Sequence, residues 1–246
     1  MASKILIVFT SCDKLPNGSE AGWYLPEAAH PYYVLSPSFT IDFASPKGAN
    51  PPVSQGSVEL FKEDAESVQF LADEIVKQKL ASAKILSEVN PDDYAAVFYV
   101  GGHGPCIDLP NDETNIKLAN SFWRAGKIVS AVCHGPAALV RITDASGQSI
   151  FKGRRATCFT VAEEKILGTV DAIPFQPEET LKELGAQFEN AGPFEVNLCF
   201  SSVTLGKGKL TIVSQSKVVV DGRLLTGQNP ASSRALAEEV LKALKG

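Results

Sequence analysis

The chain has 246 residues, 44% of them apolar and 21% charged, an ordinary globular composition able to bury a sizeable core. A formal charge of −5, with no lysine or arginine run, argues against nucleic acid as a partner, because phosphate binding needs a basic face.

Lys4–Thr10 reads as a first strand. Its apolar run, Ile5 to Phe9, is too short for a signal-peptide core and far below the ~20 residues of a membrane span, so a cytosolic protein with no membrane partner is expected. Asn17-Gly18-Ser19 matches a glycosylation sequon but reads better as a turn. Glu20–Leu35 suits a helix with Pro26 and Pro31 at its ends or at kinks, and Phe39–Ser45 is a second strand. Residues 46–62, rich in Pro, Gly and Ser, read as a loop. The stretch AESVQFLADEIVKQKL (65–80) places Val68, Leu71, Ile75 and Leu80 at near-helical spacing, which predicts one amphipathic helix.

DYAAVFYV (93–100) is a continuous apolar run, as expected of a buried parallel strand, and meets Gly101-Gly102. Asp112–Ala125 reads as a helix with Ile116, Ala119, Phe122 and Trp123 inward and Gly126 at its C-terminal end. KIVSAV (127–132) is the next strand, and Gly135–Leu139 opens another helix with Pro136 in its first turn. Pro177–Leu184 is a short helix. KLTIVSQ (209–215) and KVVVDGRLLTG (217–227) are strand-like, with a tight turn at Asp221-Gly222, and Pro230–Leu244 closes the chain as a helix. Strands alternating with helices predict one α/β domain over 1–246, with a mostly parallel sheet covered on both faces.

The chemistry concentrates at AVCHGP (131–136). Cys133 ends a strand and starts a strand-to-helix turn, where open α/β sheets bind ligands. Such a nucleophile elbow needs small neighbours, which Ala131 and Gly135 provide. A helix N-terminus beside the sulfur would favour the thiolate. A packed core thiol is the alternative. The other cysteines (12, 106, 158 and 199) are widely spaced without a CxxC pair, so neither a disulfide framework nor a zinc knuckle is expected. The only histidines are His30, His103 and His134, none at metal-ligand spacing from another, so no metal is expected. His134, beside a thiol at a ligand-facing turn, suits acid–base work and would then need a carboxylate to orient it; a satisfied turn histidine is the alternative. In Gly101-Gly102-His103-Gly104, the backbone at Gly102, His103 and Gly104 could face a developing oxyanion, or the glycines could serve only a tight turn. The spacing is not that of a dinucleotide fingerprint.

AVCHGP, GGHGP (101–105), EAAHPY (27–32) and TGQNPAS (226–232) occur in order along nearly the whole chain. Together they resemble the PfpI superfamily, and within it the glutathione-independent glyoxalases that are also described as heat-shock chaperone-like. The resemblance implies a flavodoxin-like three-layer sandwich and a site of nucleophilic cysteine (Cys133), adjacent histidine (His134), orienting acid and early glutamate that hydrogen-bonds the thiol. Glu27 matches that glutamate, and its apolar setting suits a raised pKa, though a solvated helix glutamate is the other reading. CFTVAEEKILG (158–168) resembles the segment bearing the acid and places it at Glu164, next to Glu163; both could be ordinary helix-start glutamates. Segment 190–209 departs from the shorter relatives. The implied activity is glyoxalase III (D-lactate dehydratase, a lyase), giving lactate from methylglyoxal, a small 2-oxoaldehyde, without cofactor. A protein deglycase, a holdase acting on unfolded clients under stress, and a cysteine peptidase or amidohydrolase are the alternatives. A homodimer is implied by the resemblance alone.

Overall fold

The computed structural model describes residues 4–192, 195–199, 209–213 and 215–246. In chain order it contains β1 (Lys4–Val8), α1 (Leu25–Leu35), β2 (Thr40–Ser45), α2 (Gln55–Leu60), α3 (Ala65–Ala72), α4 (Glu74–Ala81) and β3 (Lys84–Ile85). There follow β4 (Ala96–Tyr99), α5 (Pro105–Asp108), α6 (Glu113–Arg124) and β5 (Ile128–Val132). Next come β6 (Arg155–Ala156), α7 (Val161–Leu167), α8 (Pro177–Glu183) and β7 (Gln187–Phe188). The chain ends with β8 (Glu195–Cys199), β9 (Lys209–Val213), β10 (Val218–Asp221), β11 (Leu224–Gly227) and α9 (Ser233–Lys245).

The central sheet has seven strands in the order β10-β11-β5-β4-β1-β2-β3, all parallel to their neighbours except β10 against β11. Strand side chains alternate between faces. Ile5, Ile7 and Phe9 join one core under α1, α3 and α9, while Leu6 and Val8 join another under α6 and α8. Cover on both faces is the reason β1 and β4 read as unbroken apolar runs. The chain runs outward from β1 to β3 and then crosses to the other side of β1 at β4. The carboxyl ends of β1 and β4 therefore form a switch point, where such sheets bind ligands.

Several predicted elements differ. The first helix begins only at Leu25, because Gly22 (φ +107°) lies against Pro52 and Trp23 N–H donates to the Pro52 carbonyl. Pro26 sits in its first turn and Pro31 inside it, where the missing N–H deprives the Glu27 carbonyl of its helical partner. The expected loop 46–62 contains α2, capped by the Ser54 hydroxyl. The single helix expected over 65–80 is two. Asp73 breaks it with extended geometry and accepts hydrogen bonds from Ile75 and Val76 N–H, as N-cap aspartates do. The break turns Val68 and Ile75 outward and buries Phe70 and Val76 instead. Gly135–Leu139 is a 3₁₀ turn rather than the start of an α-helix. Within the 190–209 segment, residues 193–194 and 200–208 lie outside the described residues, as does the Cys199 side chain.

Candidate active site

Cys133 directly follows β5 with φ +60°, a left-handed conformation costing an L-residue roughly 1–2 kcal/mol. Two backbone bonds hold it there: Cys133 N–H donates to the Gly227 carbonyl (2.9 Å), and Phe159 N–H donates to the Cys133 carbonyl (2.9 Å). Gly135 is needed beside it, since a Cβ there would stand 2.6 Å from the Tyr99 carbonyl oxygen. Strain held by surrounding structure is characteristic of functional positions.

The sequence-predicted residues converge on this elbow. Cys133 Sγ lies 3.3 Å from His134 Nδ1, and His134 Nε2 lies 2.5 Å from Glu164 Oε1. His103 Nε2 is 3.5 Å from the same carboxylate oxygen. Cys133, His134, Glu164 and Glu27 are all buried, whereas the His103 side chain is 23% exposed and forms the site's outer edge. Gly102 presents its N–H to the Cys133 sulfur. Gly104 instead begins α5 and packs against Thr10.

The adjacent glutamates have different contacts. Thr160 caps α7, and Glu163 Oε2 reaches back to accept from the Thr160 N–H (2.9 Å) and hydroxyl (2.8 Å). Glu163 Oε1 accepts from Asn229 Nδ2 (2.8 Å), which ties α7 to the GQNPAS loop. This capping box fixes the first turn of α7 so that Glu164 faces His134.

Burial opposes ionisation of Glu164, but the nearby His103 ring and the hydrogen bond from His134 outweigh it and hold the carboxyl well below the usual range. Burial lowers His134 despite Glu164, so the imidazole is neutral. A carboxylate can only accept; the ring proton therefore sits on Nε2, and Nδ1 is free to take the thiol proton. Burial is also the main influence on Glu27, pushing it up to about 8 against the opposing pull of Cys133 and the Gly101 N–H. Neither Glu27 oxygen has a partner in strict hydrogen-bond geometry, so those two groups act by proximity.

Burial pushes the Cys133 thiol up, and an ionised Glu27 pushes it further. Below about pH 8 Glu27 is protonated; that repulsion is then gone, and the carboxyl can donate to sulfur. The expected helix-terminus effect is secondary here. A terminal dipole contributes ~0.3–1 kcal/mol, whereas full burial moves a pKa by up to ~3–5, several times more energy. The Gly102 N–H, not a helix, favours the thiolate, and protonation of Glu27 removes the charge that opposes it.

Two contacts have no counterpart in the sequence reading. The Phe159 ring stacks on His134 (centroids 4.6 Å, 30°). The Thr169 hydroxyl donates to Glu164 Oε2. Phe159 could have been found as the aromatic just before the α7 cap; Thr169 carries no local signal. The donor atoms of His103, His134 and Glu164 all lie within 4.8 Å of one another, a cluster that chain spacing did not reveal. Cys12, Cys106, Cys133 and Cys158 are free thiols, and no helix among the described residues is long and apolar enough to cross a membrane.

Fold and site together define a doubly wound α/β protein with a strained, buried cysteine beside a histidine–glutamate pair at the carboxyl ends of its strands. Residues 25–243 match the DJ-1/PfpI family, and the chain belongs to that family. It is 32% identical to "Glyoxalase 3" of Candida albicans over 98% of both chains. It is 29% identical to "Glutathione-independent glyoxalase HSP31" of Saccharomyces cerevisiae, again over 98% of both. The crystal structure of glyoxalase III from Candida albicans superposes with a TM-score of 0.81 at 28% identity, covering 98% of this chain and 97% of that one.

Proposed function

We propose that this protein is a glutathione-independent glyoxalase that converts methylglyoxal and water to lactate. The observation that carries the proposal is a buried thiol 3.3 Å from the free Nδ1 of an acid-paired histidine, with a carboxyl of pKa about 8 beside it. A group that titrates near neutrality can both give and take a proton. Whole-length similarity to proteins named as glyoxalases supports the same reading.

The chemistry balances with these residues alone. His134 Nδ1 takes the Cys133 proton as sulfur adds to the aldehyde carbon, and protonated Glu27 gives its proton to the new oxyanion, forming a hemithioacetal. Glu27, now a carboxylate, removes the C1 hydrogen while imidazolium protonates the C2 oxygen, giving an enediol. Glu27 returns the proton to C2 and His134 takes the C1 hydroxyl proton, which leaves a thioester: C1 is oxidised and C2 reduced within one molecule. Water then attacks the thioester carbonyl and gives a proton to Glu27. The leaving thiolate takes its proton from His134, and lactic acid departs with every residue restored. Glu164 stays ionised throughout and stabilises the imidazolium.

Glutathione-free lactate formation from methylglyoxal, measured for the wild type beside Cys133→Ala, tests the proposal. Turnover in the wild type and none in the folded variant supports it; survival of lactate production in the variant overturns it. The name HSP31 borne by one relative, with Leu60, Val68 and Ile75 exposed, favours a second, holdase activity independent of Cys133. It would persist in Cys133→Ala.

A further inference from the structure

We infer that His103, His134 and Glu164 form a binding site for a divalent transition ion of the zinc type, and that its occupancy switches the proton relay off. The binding half stands on this geometry alone; the inhibitory half rests on the glyoxalase reading.

Two imidazoles and one carboxylate are a donor set suited to zinc. With Zn–N and Zn–O distances near 2.0–2.2 Å, tetrahedral ligand atoms lie ~3.3 Å apart. His103 Nε2 and Glu164 Oε1, at 3.5 Å, already have that separation. The His134–Glu164 pair, at 2.5 Å, must open, and all three donor atoms lie within 4.8 Å of one another. The two imidazoles are neighbours, with ring centroids 4.6 Å apart and planes inclined by 52°.

A second observation is independent of the cluster's composition. His103 Nε2 is buried, yet it has no hydrogen-bond partner in the structure. Buried polar atoms are seldom left so, and this one faces the carboxylate. Glu164 Oε2 is already held by the Thr169 hydroxyl, the kind of support that commonly orients a metal-binding carboxylate. The partly exposed His103 gives an entry path from solvent.

Inhibition follows from the ring of His134. An ion on Nε2 displaces the proton from that nitrogen, and the neutral imidazole carries it on Nδ1 instead. Nδ1 is the atom 3.3 Å from Cys133 Sγ, so the histidine can no longer accept the thiol proton. No proton is gained or lost overall. Cys133 lies on the Nδ1 side and Glu164 on the Nε2 side of the ring; sulfur is therefore not among the ligands.

Cobalt(II) titration followed by visible absorption, with equilibrium dialysis of zinc, tests the site without reference to turnover. One ion should bind per chain, giving d–d bands without a sulfur-to-cobalt charge-transfer band. Cys133→Ala should bind as the wild type does. His103→Gln and Glu164→Gln, each checked for folding by circular dichroism, should each weaken binding beyond the ~10–100-fold typical of losing a group that merely supports a ligand. Absent binding, binding unchanged in both substituted proteins, or a sulfur band lost with Cys133→Ala overturns the site. Zinc should also abolish methylglyoxal turnover, with recovery on adding a chelator. Binding as described with undiminished turnover overturns the inhibitory half alone. A protein that binds the ion yet never turns over methylglyoxal overturns the glyoxalase reading and leaves the metal site standing.

Discussion

Glu27 and Cys133 meet in the space that a side chain at Gly101 would occupy. A Cβ placed there would stand 2.4 Å from Glu27 Oε2 and 2.8 Å from the Cys133 Cβ. Glycine at 101 is therefore what lets an acid from α1 approach a thiol at the end of β5. The carbonyl oxygen of Val132, 2.6 Å from the same point, closes the remaining side.

Gly101→Ala should accordingly damage both stability and turnover. Overpacking of this kind costs ~1–3 kcal/mol, and a reacting group displaced by ~1 Å can lose ~10²-fold in rate. Gly56→Ala is the control. It lies in α2 with nothing nearer than 3.7 Å, where alanine should stabilise by up to ~1 kcal/mol. Chemical denaturation and methylglyoxal kinetics on the two variants check the contrast; equal behaviour would show that the close approach at Gly101 is unimportant.

The pH dependence of stability should carry the signature of Glu27. Its carboxyl moves from an ordinary 4.5 to about 8 on folding, so the folded chain holds this proton more tightly than the unfolded one. The favourable contribution is fully present below about pH 4.5, falls as pH rises, and is gone above about pH 8. At ~1.4 kcal/mol per pH unit, the loss is on the order of 5 kcal/mol. Glu27→Gln removes the dependence. It should be more stable than the wild type at pH 7–9 and yet ~10²–10⁴-fold slower, the usual effect of a missing acid–base group. Urea denaturation from pH 5 to 9 checks this, and parallel curves for the two proteins would rule it out.

How much of this was legible in the sequence depended on how local each feature is. Cys133 and His134 are adjacent, and their small neighbours advertise the elbow directly. Glu164 is 30 residues away and is placed by resemblance; only the Thr160 capping box shows why Glu163 turns away from His134 while Glu164 faces it. Thr169 reaches Glu164 because Gly168 (φ +70°) turns the chain back at the end of α7, a geometry no short motif announces. The period over 65–80 does not show the break, because an aspartate inside an apolar period can be either a solvated helix residue or a cap. Asp73 is a cap, and the buried face follows Phe70 and Val76.

Asp73→Ala tests that correction. The side chain accepts from Ile75 N–H at 2.8 Å and Val76 N–H at 3.4 Å, and N-caps of this kind are worth ~0.5–2 kcal/mol. The variant should lose stability within that range and keep wild-type turnover, since α4 packs on α3 and β2 and contributes no residue to the site. A variant as stable as the wild type would mean that the break at Asp73 does not depend on its side chain.

Finally, Glu163→Gln and Glu164→Gln, one position apart, should fail in different ways. Glu163 accepts three hydrogen bonds in the buried site, two at Oε2 and one at Oε1. An amide has one accepting oxygen, so its NH₂ must face either the Thr160 donors or Asn229. A buried donor left unsatisfied costs ~1–3 kcal/mol. Glu163→Gln should therefore lower the melting temperature while retaining measurable turnover, because Glu164 still faces His134. Glu164→Gln keeps an oxygen for His134 Nε2–H but removes the charge that stabilises the imidazolium. Its turnover should fall ~10²–10⁴-fold, with kcat reduced rather than KM raised, since the imidazolium exists only once the thiol has reacted. Stability also distinguishes them by pH. The Glu164 carboxyl is held low in the folded chain, so it contributes stability above the ordinary 4.5 that is lost as pH falls towards its folded value. Glu164→Gln should flatten this acid-side loss, and Glu163→Gln should leave it in place. If Glu163→Gln instead abolishes turnover at full stability, the orienting acid has been assigned to the wrong glutamate.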